Sequence, residues 1–493
     1  MSFEVEWHLP TKIVYFSEVG KQESGYQKEP RIISVSELKR AINFSKSFEN
    51  SAATITFENA DYFFEKLLSG ENQYISGNKI VIKDSGTIIF TGKISEVPPP
   101  SNLSMFEIRV DVNKSSMGKK PNKKLTLDDF QNIPDENKGK YGNIIGGSAV
   151  NSSGATKGIL TAYRVDNNKF LAAWHHLKAI TGVYKSDETN ITSLCTLQNS
   201  TDGNAYIIYT STDPEIFFNA NGMMDNFSNL IQDPAKILGK IISDFSDFII
   251  DGISDASTIF YSRGYSSGAS VIVIDDGISW SEVFKRFSNS FDCLIFTKAS
   301  GNLGIKVLDW GTETAIKKIY PVYVDHKTFK NWKDIKEIVN EYQRMYWYHF
   351  REDFFQRTPQ DIKISSNWDA KDSELRLYYI KDDIVAMDVT TRVLFIKKKP
   401  IIWYEFSIPK KYGNDIDLGD IVNFRYTRGI YKNAWRMVQI FRKVYGKNYK
   451  NTIKFEGFDI TGINSGLIVL LDDTNTDIVL LKNENDESCH VLL

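Results

Sequence analysis

Short runs of β-branched and aromatic residues, separated by Asn, Asp and Gly, form the main hydrophobic pattern of the chain. Runs of this length and composition are typical of strands joined by turns. Asp84-Ser85-Gly86 predicts a tight hairpin, and Pro98-Pro99-Pro100 ends the pattern because proline cannot donate a hydrogen bond to a ladder. Residues 1–112 are therefore predicted to form a small β barrel. Its clearest strands are Thr54–Phe57, Lys79–Lys83 and Thr87–Thr91.

A polar, lysine-rich segment with two prolines, residues 113–140, comes next and is predicted to be a linker. The strand pattern then returns, with Gly, Asn, Asp and Ser between the apolar runs. Residues 141–215 are therefore predicted to form an inserted β subdomain. Its predicted strands are Gly158–Val165, Ile191–Leu197 and Ala205–Tyr209.

Two helical patterns distinguish residues 216–320. Asp233 can cap a helix that has Pro234 at its first position. Ser279, with Glu282 three residues later, matches a capping box. Each of these two predicted helix N-termini is followed by apolar residues at helical spacing. The pattern predicts an α+β middle domain. The hairpin predicted after the second helix has its strands at Cys293–Thr297 and Gly304–Leu308.

An aromatic-rich segment, residues 321–360, is predicted to connect the middle domain to a second small β barrel at residues 361–460. In that barrel the strand runs recur at near-regular spacing. Val422, Phe424 and Tyr426 are expected to share one face, as alternate residues of a strand do. The predicted strands are Ile401–Phe406, Ile421–Tyr426, Trp435–Val444 and Thr452–Phe458.

A weak repeat of short apolar runs, LIVLL, DIVLL and CHVLL, lies in residues 461–493. We interpret it as three short strands joined by acidic turns. Such strands need a packed face, because two or three of them do not hold together alone in water. We therefore hypothesise that this strand tail is an assembly element that packs on the second barrel, on a neighbouring subunit, or on a central spike or fibre.

Composition and charge narrow the class of protein. The chain has 493 residues and a net charge of −2, which excludes a globally basic nucleic-acid binder. Three widely spaced cysteines exclude a disulfide scaffold and fit folding in a reducing compartment. No signal peptide and no membrane segment are predicted, because no apolar stretch is long enough. We expect a soluble, multidomain protein that is made in a cytoplasm.

The best catalytic lead is the GxSxG motif at residues 264–268, which centres on Ser266. A nucleophilic serine in this motif lies between a strand and a helix. Here Ile259–Tyr261 and Val271–Ile274 predict strands on both sides, so we interpret the motif as a serine–glycine hairpin. Ser266 is therefore not expected to be a nucleophile.

Metal and acid–base sites are not indicated either. His175 and His176 are adjacent, and neighbouring residues of a strand face opposite sides. The ligand spacing of a zinc site is absent. Paired carboxylates such as Asp275-Asp276 are typical of solvated turns, and no phosphate-binding loop occurs. We predict no catalytic, cofactor-binding or metal-binding residue, no cofactor, and no enzymatic activity.

A basic stretch between Asp420 and Glu456 contains no acidic residue. Three interpretations remain open: a face for an acidic partner protein, a face for nucleic acid, or a solvated strand face. The nine basic residues are Arg425, Arg428, Lys432, Arg436, Arg442, Lys443, Lys447, Lys450 and Lys454.

Taken in order, several segments resemble the baseplate hub, or tail tip, proteins of long-tailed and contractile-tailed bacteriophages and of related phage-derived particles. The order of the motifs carries the resemblance, which covers residues 30–460. Leu418-Gly419-Asp420 matches the start of the second barrel in that family. The matching segments are Ser51–Ile94 for the first barrel, Gln232–Phe245 and Ile278–Val307 for the middle domain, and Asp415–Val444 for the second barrel.

The resemblance implies a ring, usually of three chains, that joins the tail tube to a distal spike or fibre and through which DNA passes. Two tandem barrels per chain would give such a ring a pseudo-sixfold shape. The implied partners are other copies of the chain, a tail tube or distal tail protein, and a central spike, fibre or tape-measure protein. The implied location is the virion tail, after synthesis in the host cytoplasm. No peptidase or lysozyme domain is recognisable.

Two other functions remain open. The 9 Trp, 24 Tyr and 31 Phe residues would suit a tail-associated adhesin for host glycan or protein, because sugar faces stack on exposed aromatic rings. A polysaccharide-degrading tail enzyme would need a groove with two facing carboxylates. The exposure of aromatic side chains distinguishes the hub from the adhesin, because a hub buries its aromatic residues and an adhesin leaves a row of them facing solvent.

Overall fold

The computed structural model confirms a mainly β fold, with 44% of residues in strands and 19% in helices. Within the described residues, no helix combines the length and apolar character needed to cross a bilayer. The described residues are 3–18, 22–23, 26–42, 52–99, 104–112, 114–150, 158–265, 270–275, 277–308, 315–334, 339–349, 354–357, 362–363, 371–397, 401–425, 435–445, 451–461, 469–471 and 478–480.

The N-terminal region forms a β module, and the three strands and the hairpin predicted there are confirmed. Alternate residues of the first strand, Phe3, Val5 and Trp7, point into the core, as the period of a half-buried strand requires. The elements are β1 (Phe3–His8), β2 (Ile13–Ser17), β3 (Gln22–Glu23), β4 (Tyr26–Gln27), β5 (Ile32–Val35), β6 (Leu38–Ala41), β7 (Ala52–Glu58), α1 (Phe63–Leu67), β8 (Lys79–Asp84), β9 (Thr87–Glu96) and β10 (Met105–Asp111).

Seven of these strands pair in the order β2-β1-β8-β9-β10-β7-β5, and every pair is antiparallel. The path is open, because its two end strands do not pair with each other in the described residues. We call this sheet with α1 the first module.

The inserted β region forms a second sheet, and the segment predicted to be a linker packs against it. Leu125 and Ile133, in that segment, share a buried cluster with Val165 and Leu171. The segment therefore covers one side of the insert. The helix of this segment is α2 (Lys114–Met117). The strands of the insert are β11 (Ile144–Ala149), β12 (Leu160–Asp166), β13 (Lys169–Ala173), β14 (Ala179–Tyr184), β15 (Thr196–Asn199), β16 (Ala205–Ile208) and β17 (Glu215–Asn221).

The strand predicted at Ile191–Leu197 is shorter than expected. Residues Thr192–Leu194 form a 3-10 turn, and only β15 is extended. Asn190 accepts a hydrogen bond from the Thr192 backbone N–H at 2.9 Å, and such side-chain contacts compete with strand pairing.

The middle domain has both predicted helix starts. Asp233 Oδ1 accepts from the Lys236 N–H at 3.0 Å, and Ser279 Oγ accepts from the Glu282 N–H at 3.4 Å. The predicted hairpin is also confirmed. The elements are α3 (Pro234–Phe245), β18 (Ile250–Asp251), α4 (Ile253–Ser262), β19 (Val271–Ile274), α5 (Trp280–Ser290), β20 (Cys293–Thr297) and β21 (Leu303–Val307).

The strand predicted at Ile259–Tyr261 is wrong, because these residues lie in α4. Ala256 and Phe260, four residues apart, form its buried face, and a short apolar run does not by itself distinguish strand from buried helix. The strand predicted at Val271–Ile274 is confirmed as β19.

The insert and the middle domain are joined through β11, which pairs with β17 of the insert and with β19. Gly146, on β11, lies directly against α3. A Cβ at this position would lie 2.0 Å from Cγ2 of Ile237, so the close approach of strand and helix requires glycine.

The second β module contains all four predicted strands. Val422 and Phe424 are both buried as expected, whereas Tyr426 lies outside the described residues. The elements from here on are β22 (Lys317–Ile319), β23 (Lys330–Asp334), β24 (Val339–His349), β25 (Phe354–Arg357), β26 (Ile362–Lys363), β27 (Lys371–Leu377), α6 (Asp383–Lys397), β28 (Ile401–Pro409), α7 (Lys410–Gly413), β29 (Ile421–Arg425), β30 (Trp435–Tyr445), β31 (Thr452–Asp459), β32 (Val469–Leu471) and β33 (Ile478–Leu480).

The sheet of the second module runs β22-β29-β30-β31-β28-β23, so two of its strands precede residue 361. The predicted aromatic connector forms strands too, in a four-stranded sheet around β24. Helix α6 was not predicted. Its residues Val385, Ala386 and Val389 are buried in the core of the middle domain, and this burial overrides the strand preference of a Val- and Thr-rich segment.

Two of the three predicted tail strands, β32 and β33, form an antiparallel pair. The third apolar run, CHVLL, lies outside the described residues.

The two β modules are not separate units, because β6 leaves the first module and pairs with β30 of the second. Arg40 and Ala41 lie opposite Lys443 and Arg442 in an antiparallel register. A single hydrophobic core also runs through both modules. Its aromatic members include Trp7, Phe16, Phe57, Phe64, Phe406, Phe424 and Phe455. We call this strand exchange and shared core the module joint.

Buried charged side chains also lie in the module joint. Lys410 of α7 forms an ion pair with Asp84 of β8, and both side chains are largely buried. Arg40, which is buried, pairs with the partly exposed Asp417. Lys443 is 2% exposed, and its Nζ donates to the backbone oxygens of Asn414 and Ile416 at 3.0 and 2.5 Å. Desolvation lowers the pKa of Lys443 to about 8, with a further lowering by Arg40.

Loss of the Lys410–Asp84 pair should destabilise the module joint. Lys410→Met leaves a buried carboxylate without its cation, which costs about 3–5 kcal/mol. We expect this loss in the urea unfolding transition of the β modules, followed by tryptophan fluorescence. Lys240→Met is the matched control, because its pair with Asp244 is more exposed and should change stability by about 1 kcal/mol or less. A loss below ~1 kcal/mol for Lys410→Met would contradict this role.

Lys443 should make the chain more stable as pH rises above 8. Its folded pKa, about 8, lies below the ordinary value of 10.5, so between these values the unfolded chain binds more protons and stability increases with pH. The gain from pH 8 to 9.5 should be about 1–2 kcal/mol. Urea titrations at both pH values measure it. The gain should be absent in Lys443→Met, and an equal gain in that variant would rule out Lys443 as its source.

Candidate functional site

The second residue of the GxSxG motif packs in the protein core. Tyr265 is fully buried, and its hydroxyl donates to Asp388 Oδ2 of α6 at 2.5 Å. Burial, with the nearby Asp388 charge, raises the pKa of Tyr265 well above its usual range. The motif follows helix α4 and precedes strand β19, which is the reverse of the strand–turn–helix order of a nucleophile elbow. Ser266 itself lies outside the described residues.

The two adjacent histidines occupy different environments just after β13. His175 is buried, and its Nε2 accepts from the Ile145 N–H at 2.9 Å while Nδ1 donates to the His176 carbonyl at 2.8 Å. Desolvation lowers the pKa of His175 to about 4. His176 is exposed and its Nε2 lies 2.7 Å from the Ser200 carbonyl oxygen. Among the described residues, no group of three or more His, Cys, Asp or Glu side chains could hold a metal ion.

A groove lies between the insert and the middle domain, near His176. It consists of two adjoining cavities of about 490 and 470 Å³ that share Trp174, Asp244 and Phe245. Burial acts to raise the pKa of Asp202, which also lines the groove, but hydrogen bonds from Tyr206 and Asn204 lower it overall. An ionised Asp202 cannot act as the general acid that a glycosidase needs.

The basic stretch is largely neutralised within the second module where it is described. Arg436 pairs with Asp459 at 2.8 Å, Arg442 with Glu456 at 3.0 Å, and Lys454 with Glu405 at 2.9 Å. Lys443 is buried in the module joint. Arg425, the last residue of β29, lies 5.8 Å from the ring of Trp435. The other four basic residues, Arg428, Lys432, Lys447 and Lys450, lie outside the described residues.

These pairs could not be found from the basic run alone. Glu405, Glu456 and Asp459 lie on β28 and β31, and they meet the cations across the sheet only in the observed register. The acids are present in the sequence, but the pairing of distant strands decides which cation each one contacts.

An aromatic row lies at the ends of β22 and β30 in the second module. Strand β22 is at one end of the sheet and pairs in parallel with β29. The ring of Trp435 packs against Tyr320 at 5.2 Å, Tyr320 against Tyr323 at 6.0 Å, and Tyr323 against Tyr412 at 4.1 Å. Four rings are therefore in continuous contact. We call them, with the free side of β22, the aromatic edge.

The aromatic edge is exposed and cationic. Trp435 and Tyr320 are 37% and 43% exposed, and Val322 beside them is 80% exposed. Lys318 and Arg425 lie about 6 Å from the Trp435 ring, and Lys411 lies 4.7 Å from the Tyr412 ring. Exposed aromatic residues with Arg are typical of protein-binding surfaces, and an open strand edge can accept another strand.

Other exposed aromatic side chains are spread over different parts of the described chain. Tyr62 and Tyr74 are in the first module, Phe227 is near the insert, Tyr261 is on α4, and Trp332 is on β23 at the other end of the second-module sheet. Most aromatic side chains of the described modules are buried instead, in the cores of the β modules and the middle domain. The aromatic edge is thus the candidate functional site that the fold presents most clearly, and the sequence did not predict it.

No protein-family model matches the chain, and no curated protein matches it in sequence. Among solved structures, the chain is similar to the 43 kDa tail protein of prophage MuSo2 from Shewanella oneidensis, with 9% identity, a TM-score of 0.45, and coverage of 93% of this chain and 98% of that one. It is similar to a tail protein from Neisseria meningitidis MC58, with 9% identity, a TM-score of 0.45, and coverage of 94% and 98%.

It is also similar to the prophage tail protein gp18 from Listeria monocytogenes EGD-e, with 8% identity, a TM-score of 0.43, and coverage of 93% of this chain and 94% of that one. At these identities no residue role is transferred between the chains. The similar structures include phage tail proteins, which is the class that the order of the sequence motifs resembles.

Proposed function

We propose that the chain is a structural hub protein of a phage-type tail tip or baseplate. Copies of the chain, three in the simplest case, form a ring that joins the tail tube or a distal tail protein to a central spike, fibre or tape-measure protein. DNA passes through this ring. The chain is synthesised in the host cytoplasm and resides in the virion tail.

The observation that carries this proposal is the module joint. Strand β6 crosses from one β module to the other, and one hydrophobic core fills both. A connection of this kind resists bending, because any relative movement of the modules would break ladder hydrogen bonds and open a packed core. A chain that transmits force between a tube and a spike needs such stiffness, and a chain that only binds a ligand does not.

The arrangement also suits a ring. Two β modules side by side in each chain would give three chains six similar positions, which matches a sixfold tube on one face and a threefold spike on the other. Heterologous contacts between chains close such a ring. The basic residues outside the described part, Arg428, Lys432, Lys447 and Lys450, are the part of the basic stretch that we assign to partner contacts.

A tail-associated adhesin is the second candidate function, and the aromatic edge is the observation that favours it. Sugar faces stack on exposed rings, and two of the four rings of the row are exposed. The row is short and is bordered by an open strand, which fits a polypeptide better than a sugar chain. Binding of the purified chain to a glycan array would favour the adhesin.

The position of the chain in the particle should be the tail tip. Particles decorated with gold-labelled antibodies against residues 141–215 should carry gold only at the distal end of the tail tube in electron micrographs. Mass photometry of the purified chain should give a species of three times the chain mass of 56.3 kDa. Gold along the tail shaft, or a monomer at every concentration tested, would contradict the hub.

The chain should also lack hydrolase and zinc chemistry. A fluorophosphonate probe should leave Ser266 unlabelled, because the motif lacks the strand–turn–helix context of a nucleophile. Purified protein should contain no stoichiometric zinc, since His175 and His176 are each engaged by backbone groups. Mass spectrometry of the labelled peptide and elemental analysis measure the two outcomes. Labelled Ser266 or one zinc per chain would overturn this part of the proposal.

A further inference from the structure

The aromatic edge of the second module exposes apolar rings, three cations and an unpaired side of β22 in the described part of the chain. Lys317 is paired with Asp415 at 2.6 Å, whereas Lys318, Arg425 and Lys411 have no carboxylate partner among the described residues. A segment with carboxylates and short apolar side chains would complement the cations, the rings and the open strand edge of this surface.

The chain itself leaves the second module beside this surface. The Ile460 N–H donates to the Met437 carbonyl at 2.8 Å, and the Met437 N–H donates to Thr461 Oγ1 at 2.7 Å. Met437 is two residues from Trp435 on β30, a distance of about 7 Å along a strand. The segment that follows Thr461 therefore starts next to the aromatic edge.

The antiparallel strands β32 and β33 then reverse the direction of the chain. Val469 lies opposite Leu480 in their antiparallel register, so at Leu480 the chain has returned to roughly 5 Å from its position at Val469. Seven residues separate Thr461 from residue 469, and they can span at most about 27 Å. Residues 482–493 thus begin within reach of the aromatic edge of the same chain.

Residues 482–493, KNENDESCHVLL, combine carboxylates with short apolar side chains, and these complement the cations and rings of the aromatic edge. Glu484, Asp486 and Glu487 stand against a single lysine, Lys482. Val491-Leu492-Leu493 supplies the short apolar side chains, and no proline interrupts the segment. Its first half therefore complements the cations, and its second half complements the rings and can pair as a strand.

We propose that residues 482–493 dock on the aromatic edge of the same chain. The acidic half lies against Lys318 and Arg425, and the apolar half packs on the row of rings. Binding within one chain is favoured by the short connection, which gives the segment a high effective concentration at the edge. The segment then covers the open strand, and the aromatic row needs no glycan to explain it.

Photo-cross-linking in the full-length purified chain tests this docking. We would place p-benzoylphenylalanine at Val322, which is 80% exposed, irradiate, and map the cross-linked peptides by mass spectrometry. The expected partner is a peptide within residues 482–493. The same probe at Phe227, which is 85% exposed and lies near the insert, is the matched control and should not reach that peptide. If the Val322 substitution prevents folding, Tyr320 provides a second probe position.

An equal mixture of ¹⁵N-labelled and unlabelled chains shows which copy supplies the segment. Docking within one chain gives cross-links between peptides of the same isotope only. Mixed-isotope cross-links would place the segment on a neighbouring copy and overturn the proposal. Cross-links from Val322 only to other segments would overturn it too.

Charge reversal tests the electrostatic part. Lys318→Glu together with Arg425→Glu should lower the cross-link yield about tenfold, because attraction becomes repulsion at two positions. Glu484→Lys with Glu487→Lys in the same chain should restore it. Lys66→Glu, at an exposed position of α1, is the control and should leave the yield unchanged. A yield that does not respond to the double reversal would overturn the proposal. Because all measurements use the isolated chain, their outcome is independent of whether the chain occupies a tail tip.

Discussion

The pairing of β6 with β30 is the interaction on which the arrangement of the molecule depends. It carries a segment of the first module into the sheet of the second, where Arg40 meets Asp417 and lies opposite the buried Lys443. The aromatic cores of the two modules form one cluster, and Asp84 of the first module pairs with Lys410 of the second. The middle domain and the insert are attached in the same manner, through β11, which belongs to the sheets of both. Shared strands, rather than flexible linkers, thus connect the parts of the chain.

Local features of this fold could be predicted from the sequence, and connections between distant residues could not. The strand Cys293–Thr297 and the caps Asp233 and Ser279 follow from composition and spacing within a few residues. Helix α6 and the helical state of Ile259–Tyr261 are decided by burial against the middle-domain core. The β6 crossing has no local signal at all, because its partner strand is about four hundred residues away.

The candidate functional site also depends on contacts between distant residues, which could not be predicted from the sequence. The basic stretch is visible in the sequence, yet three of its cations are matched by Glu405, Glu456 and Asp459 across the sheet. Strand register therefore determines which basic side chains remain available to a partner protein. The aromatic edge could not be predicted either, because Tyr320, Tyr412 and Trp435 come from three separate segments and meet only at the edge of the folded sheet. The motifs with catalytic spacing serve packing instead, as the buried Tyr265 illustrates.

The proposed role of the chain depends on the two β modules forming one rigid unit. Double electron–electron resonance between spin labels at Tyr62 of the first module and Val322 of the second measures this rigidity, since both side chains are exposed. The labels would be attached to cysteines introduced in a chain whose own three cysteines are replaced. Rigidly joined modules should give a single narrow distance distribution that is unchanged by salt. A broad or bimodal distribution would show that the modules move independently and that the module joint does not hold them together.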